Sequence, residues 1–495
     1  MDPRPPQIYF SDFFGVAPQS LEEYGAFNVS LINDLPLFVD PFLLFNSDDP
    51  VYRQLHDEII RYLRFLRDRS RGSTLDLGLI ASWYQFKEIK QNWLGFSRSG
   101  NRGSGLGPTF ARALHRNLGT IFSTFGEEQI TRGSHLEKVC LVDRGVGRDN
   151  ISDFTTNLIK GHLLDYTQRV AQACLTAEQR CVFAVEKVRF NYDTETWASG
   201  RYELPNAAGD YVLLTPKDML TRDETWISRP DLLHNFERVA AAVPNFQLRA
   251  QLNNYFYNQL IHDPTMTADE REKEKQRAIA RAIMEYPEII EYYIREREDW
   301  GDEACDISSE RVEDTQAWFV DQVRSYVADH LADTTFYTMP ANTRDETRDR
   351  ILFLKHVIED QGGHRLFYRG GEAVQRESDL QIIFKFVWFA SPSAVDAEVN
   401  NGRGPVDFSI SRGSDDKTLV EFKLARNSKL KQGLAKQVKI YEAAGAATGL
   451  VKVICYFWND ERERAQKIIR ELGLEDDPNI ILIDASNDKP SASTA

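Results

Sequence analysis

Residues 405–427 read PVDFSISRGSDDKTLVEFKLARN. Apolar side chains alternate through both ends of this stretch, the period of two that predicts strands. Val406, Phe408 and Ile410 fall on one face of the first strand, with Asp407 and Ser409 on the other. Val420, Phe422 and Leu424 share a face of the second, and Glu421 and Lys423 share the opposite one. Gly413, Ser414 and Asp415 between them suit a hairpin turn. Pairing in register then gathers Asp407, Glu421 and Lys423 on one side of a small sheet. Two carboxylates so placed repel unless positive charge lies between them. An oxygen-rich pair suits Mg²⁺, which takes one or two carboxylates and keeps waters for its substrate. The lysine would orient or deprotonate a water, or stabilise charge that builds on a phosphate. The plainer reading is a surface ion pair between Glu421 and Lys423 on a half-exposed strand.

The flanking sequence favours the site. Upstream, EAVQRESDLQIIFKFVW sets Leu380, Ile383, Phe384 and Val387 at helical spacing, with Glu377 one turn ahead of Leu380. AVDAEV follows as a first strand. After the hairpin a helix is expected from about Ser428 to Ala444. It carries Gln437 and Tyr441 four apart on the side of Leu430 and Leu434. The strand LVKVICYFW, a helix over 460–472 and the strand NIILID complete the order α-β-β-β-α-β-α-β.

The residues GPVDF, EFK fourteen positions beyond Asp407, and QVKIY resemble the PD-(D/E)XK nuclease superfamily, over roughly residues 365–485. The resemblance implies an α/β fold with a restriction-endonuclease-like αβββαβ core. It makes Asp407 and Glu421 metal ligands, with the Phe422 carbonyl completing the set, and Lys423 the residue that positions or activates water. Gln437 would match the family's helical glutamine, with Tyr441 beside it. Glu377 is the expected helical acid, Glu372 is held in reserve, and Glu398 on the preceding strand is a third choice. Mg²⁺ is the expected cofactor, with Mn²⁺ as its substitute.

Charge points to a phosphate partner. The chain holds 75 acidic and 60 basic residues, a formal −15, which argues against a general nucleic-acid coat. Residues 401–440 reverse the balance with nine basic against four acidic groups. Arg403, Arg412, Arg426, Lys429, Lys431 and Lys436, with Tyr441, are the expected nucleic-acid contacts. A solvated basic face is the alternative.

A chain of 495 residues is too long for one core. Three parts are expected: a mixed α/β recognition or regulatory domain over 1–230, a helical connecting domain over 231–340, and the nuclease-like domain over 341–495. KVCLVD, CVFAVEKVRF and YVLLTPKDML read as strands of the first, and TADEREKEKQRAIARAIMEY as a solvated helix of the second. The last boundary is set at Pro340. The glycine-rich GFSRSGNRGSGLGP precedes a helix from about Thr109, either an anion-binding loop or a plain one. DRGVGRDNISDF brings Asp143, Asp149 and Asp153 together, read as a second site or as helix capping by Asn150 or Ser152. Cys455 reads as core.

Five scattered cysteines without CxxC spacing fit a reducing compartment, and no apolar signal segment or membrane-length run is visible, so a cytoplasmic protein is expected. The sequence thus predicts a Mg²⁺-dependent endonuclease acting on DNA, or else RNA, in restriction, antiviral defence or repair. A homodimer, a partner protein or a small-molecule activator would accompany it. The alternative is a catalytically silent nucleic-acid-binding or scaffold protein whose N-terminal region senses a ligand or partner.

Overall fold

The helix Pro50–Ser70 shows how this chain punctuates its elements. Asp49 accepts the Val51 amide at 2.8 Å, and Pro50 takes a first-turn position where no amide is needed. Leu55, Ile59, Tyr62, Leu63 and Leu66 then recur at helical spacing and are buried. The computed structural model describes residues 8–32, 34–71, 76–95, 106–119, 122, 124–142, 147–207, 209–222, 224–260, 266–327, 342–369, 371–388, 393–400, 405–412, 416–435 and 449–488.

The first part mixes helices with strands β1 (Leu37–Val39), β2 (Arg180–Asn191), β3 (Thr196–Ala207), β4 (Asp210–Tyr211) and β5 (Leu220–Arg222). β1 pairs antiparallel with β5, and β2, β3 and β4 form an antiparallel sheet. Two expectations fail here. Residues 138–143 were expected to be a strand, but Lys138–Val142 is a helix, with Leu136, Val139 and Leu141 buried. A short apolar run carries no period that separates a strand from a buried helical turn. Residues 211–220 do not form one strand either. Beyond Tyr211 the buried Val212, Leu213 and Leu214 give their amides to Pro205 O, Gln91 O and Thr167 Oγ1, and Pro216 precedes a 3₁₀ turn at Lys217–Met219. The expected helix near Thr109 is Pro108–Gly119.

From Arg229 to Tyr326 the described chain is helical. Ala268–Glu285 opens on a capping box, in which Thr267 Oγ1 accepts the Glu270 amide while Glu270 accepts the Thr267 amide at 2.9 Å. Gly301–Thr315 runs into a π-helical stretch, Gln316–Gln322, that turns Trp318, Phe319 and Val320 into the core. Pro340 lies outside the described residues.

The last part opens with the helix Thr343–Asp360 and the hairpin of β6 (Tyr368–Arg369) and β7 (Glu372–Ala373), then gives the expected order of elements. The helix Glu377–Val387 leads into β8 (Ala394–Asn400), β9 (Pro405–Arg412) and β10 (Asp416–Leu424). Residues 430–435 are helical, and β11 (Gly449–Tyr456), the helix Asn459–Glu471 and β12 (Ile480–Asp484) follow. The sheet order is β12-β11-β10-β9-β8, antiparallel from β8 to β10 and parallel from β10 to β12. Both faces are covered. Phe408, Val420, Phe422, Val451 and Val453 join the core with Leu380 and Phe384 of one helix and Ile351 and Leu354 of another. Ile454 and Tyr456 pack with Leu430 and Leu434 and with Ala465, Ile468 and Ile469. The protein is therefore of mixed α/β class. The turn at Gly413, Ser414 and Asp415 lies outside the described residues.

Candidate active site

β9 and β10 stay in register as far as Phe408 opposite Val420, and there the ladder stops. Asp407 and Glu421 are the next residues on either strand, so the two carboxylates sit where the strands part. The Phe422 amide, beyond the last paired position, donates to Asp407 Oδ2 at 2.6 Å. Gln381 Nε2, from the first turns of the Glu377–Val387 helix, donates to Asp407 Oδ1 at 2.8 Å. Asp407 is 9% exposed and Glu421 3%, which removes the reading of a half-exposed surface pair. Burial pushes the Asp407 carboxyl up to about 7; Lys423 and the Phe422 amide oppose the shift, and Glu421 and Glu377 add to it.

Lys423 stands between carboxylates. Its Nζ is 3.1 Å from Glu421 Oε1 and 3.4 Å from Glu377 Oε2. Burial works against the ammonium, but Asp407, Glu421 and Glu377 outweigh it and hold the proton more firmly than in a free lysine. Of the two roles expected for Lys423, donor and base, this environment supports the donor.

Glu377 is fixed from both sides. Its Oε1 accepts the Leu424 amide at 3.3 Å and Asn427 Nδ2 at 2.6 Å, while Oε2 faces Lys423. Glu372 lies exposed in β7, opposite Arg369 in the hairpin, and the structure places it in no contact with Lys423. Glu398 lies in β8, and its side chain is outside the described residues.

Three further residues escaped the sequence reading: Gln381, Asn427 and Lys452. Lys452 faces Glu421 across the parallel register of β10 and β11 and donates to Leu434 O at 3.3 Å. It is 4% exposed, and burial lowers its pKa while Glu421 and Asp477 raise it. A lysine inside the apolar run LVKVICYFW was the available signal.

Of the expected nucleic-acid contacts, Arg426 and Lys431 hold partners within the chain. Arg426 is not a free phosphate contact. Its guanidinium donates to Val374 O, lies 3.9 Å from Glu461, and sits 5.5 and 5.4 Å from the ring centres of Phe457 and Trp458. A side chain so bound braces β10 against the Asn459–Glu471 helix. Lys431 is exposed but pairs with Glu471 at 2.5 Å. Lys429 is exposed. Arg403, Lys436, Gln437 and Tyr441 lie outside the described residues, as does the side chain of Arg412. Among the described residues no three His, Cys, Asp or Glu side chains group as a metal site, so the described acidic donors at the strand parting are a carboxylate pair. Cys455 is wholly buried, as expected of a core residue, and burial raises its thiol pKa.

In the first part, Asn150 accepts the Gly147 amide at 3.1 Å and so closes the start of the Arg148–Leu158 helix. Ser152 does not cap; its Oγ accepts the Val39 amide at 2.9 Å. Asp143 and residues 96–105 lie outside the described residues. Burial, with Glu88 and Asp149, pushes Asp153 up to about 7. Asp34 rises to about 8 through burial, opposed by Lys385 and reinforced by Glu88 and Asp153. Asp40 rises to about 6 through burial, opposed by the Trp226 and Phe42 amides.

Residues 15–228 match a family described as Domain of unknown function (DUF8370), and residues 343–459 one described as Domain of unknown function (DUF8371). The first match ends at Ser228, the cap of the Arg229–Ala242 helix. The second starts with the Thr343–Asp360 helix and contains Glu377, Asp407, Glu421 and Lys423 together. No curated protein and no solved structure matches the chain. Among the described residues no helix is long and apolar enough to cross a membrane.

Proposed function

We propose that the C-terminal part is a metal-dependent nuclease with a restriction-endonuclease-like core, hydrolysing phosphodiester bonds in DNA. One observation carries the reading: Asp407 and Glu421 are the residues next after the last pair where β9 leaves β10, near enough for Glu421 to raise the Asp407 carboxyl, with Lys423 3.1 Å from Glu421 on the same strand. A surface ion pair needs neither the strand parting nor the burial of both carboxylates. The helix that supplies Glu377 and Gln381 adds support, since it directs two polar side chains at this one point.

The donor set fits Mg²⁺ or Mn²⁺. Asp407 and Glu421 are hard oxygen ligands, the Phe422 carbonyl lies beside them in sequence, and a cation would reverse the burial cost that raises Asp407. When bound, the ion supplies positive charge at the phosphate and makes water more acidic. The chain's own groups do the rest. Gln381 and the Phe422 amide keep Asp407 from turning away. Lys423 retains its proton, donates to the attacking water or to a phosphate oxygen, and offsets charge that grows there. Glu377, held by Leu424 and Asn427, sets where the ammonium points.

The test is cleavage of supercoiled, linear and single-stranded DNA, and of RNA, with Mg²⁺, Mn²⁺ or EDTA. Wild type is expected to cut only with the ion. Asp407→Ala should abolish cutting, and Lys423→Ala should slow it by about 10²–10³-fold. Binding without cutting under every condition, or cutting by both variants at the wild-type rate, would refute the proposal.

A further inference from the structure

A cavity of about 670 Å³ opens in the first part, far from the strand parting in sequence; Leu106 and Gly107 on its wall close the glycine-rich stretch read above as an anion-binding or a plain loop, of which residues 96–105 lie outside the described residues. That volume falls within the range of small-ligand sites, roughly 300–1,000 Å³. Phe86, Asn157, Lys160, Glu186, Lys187 and Tyr211 are among its walls, with Ile89, Leu106 and Val185 giving it an apolar side.

Its lysines are arranged unusually. Lys160 opens the Lys160–Cys174 helix and is only 7% exposed. Among the described residues no acceptor lies within hydrogen-bonding distance of its amine. Its charged neighbours are Lys187 and Lys87, which repel it, and Glu186. Burial first, then Lys187, pulls its pKa down to about 8. Lys187 has φ of +50°, the left-handed region that a side chain with a Cβ rarely adopts, at a register shift between Val185 and Arg189 in the β2–β3 hairpin. Bulges of this kind re-aim a side chain and gather beside binding sites. Here the bulge directs the ammonium to Ser82 O at 2.9 Å and Gln85 O at 3.0 Å, 5.0 Å from the Phe86 ring centre. Lys87 and Glu186 form an exposed pair at 3.4 Å on the rim.

The Lys160 side chain is thus mostly buried, has no acceptor among the described residues, lines the cavity and stands beside a second ammonium, so an anion placed there meets positive charge that no carboxylate at hydrogen-bonding distance offsets. We infer that this cavity binds a phosphorylated small molecule of mononucleotide size, with Lys160 on the phosphate and the apolar wall on the remainder. Lysine serves phosphate as a point charge, and Lys187, tied to two carbonyls, adds field without competing for the same contact.

The experiment is isothermal titration of the full chain in EDTA with the four 5′-mononucleotides, ribose 5-phosphate, inorganic phosphate and the four nucleosides. At least one phosphorylated probe is expected to bind one per chain, and its unphosphorylated counterpart about tenfold more weakly or worse. Preference among the three phosphate sources identifies which one the cavity accepts. Lys160→Met should lose that affinity by at least about tenfold, while Lys160→Arg and Asp407→Asn keep it. A readout without any variant accompanies it: because an anion raises the Lys160 pKa, wild type should take up a fraction of a proton on binding at pH 8.5, seen as a buffer-dependent heat. Failure of every phosphorylated probe, equal binding of nucleosides, or unchanged affinity in Lys160→Met would overturn the inference. A failed titration here leaves the cleavage assay unaffected, and a failed cleavage assay leaves this one unaffected.

Discussion

Asp407 concentrates the chemistry of the C-terminal part in one side chain. Its carboxyl is raised to about 7 in the folded chain, above the ordinary aspartate value of about 3.9. The folded state therefore binds this proton more tightly than the unfolded one. Its contribution to stability is complete below about pH 4 and is lost as pH rises through about 7. In EDTA, Asp407→Asn should thus stabilise the protein at pH 8 by roughly 2–4 kcal/mol and leave it unchanged near pH 4, as urea melts at both values would show. An equal effect at the two pH values would deny the shift. Gln381 makes a second prediction, as a positioning residue. Gln381→Ala removes a donor to the ionised form of Asp407, so the acid limb of the cleavage profile should move to higher pH and the plateau rate fall about tenfold. A merely structural role would leave that limb in place. Asp407, Glu421 and Lys423 were legible in the sequence because strand alternation alone puts them on one face. Gln381 and Asn427 were not, since each reaches the site from outside the paired strands, and such an approach leaves no local period to read; Lys452 left only the signal of a lysine within an apolar run.

At the scale of elements, the site depends on how the Glu377–Val387 helix is pinned to β10. Phe384 stacks on Phe422 at 3.9 Å between ring centres, with planes 21° apart, directly behind the residues that hold Asp407 and Lys423. Phe384→Ala should cost about 3–5 kcal/mol in a urea melt and slow cleavage even where the protein remains folded. A second anchor lies in the Thr343–Asp360 helix. Arg350 and Glu346 are both fully buried, 2.9 Å apart, with Ser393 Oγ donating to Glu346 at 2.7 Å and the guanidinium 5.6 Å from the Trp388 ring centre. Arg350→Met keeps the bulk but strips the cation from a carboxylate that stays buried. A loss of about 3–5 kcal/mol is expected, part of it regained in the double variant with Glu346→Gln. The helix expected from TADEREKEKQRAIARAIMEY was readable because its charge and apolar period run over many residues. Elements were misread at residues 138–143 and 211–220, where four to six apolar residues carry no period of their own and tertiary contacts decide.

Over the whole molecule, the π-helical turn at Gln316–Gln322 is the junction. Trp318 Nε1 donates to Leu366 O at 2.8 Å in the last part, and Phe319 O accepts the Tyr9 hydroxyl from the first. Arg222 of β5 sits 5.6 and 5.4 Å from the Trp318 and Phe319 ring centres and 3.7 Å from Asp379, two residues beyond Glu377. The helix that carries the candidate site thus touches the first part through the alternate residue of its opening turn. Asp379→Asn and Arg222→Met should each shift the cleavage rate, with a coupling of about 0.5–2 kcal/mol in the double-mutant cycle. Additive effects would mean that the contact only packs. The sequence was divided above into three expected parts, and nothing in that division showed this bridge, because Asp379 reads as an ordinary first-turn acid. The buried acids have a consequence of their own for the molecule as a polyelectrolyte. Asp34, Asp40, Asp153 and Asp407 titrate between about 6 and 8, so the formal −15 overstates the charge of the native chain near neutrality. Native electrophoretic mobility should be lower than the sum of residues gives, and unfolding near pH 7 should release protons to the buffer as these carboxyls return to their ordinary range. Below neutrality the folded surface would repel a strand of DNA less than its composition suggests.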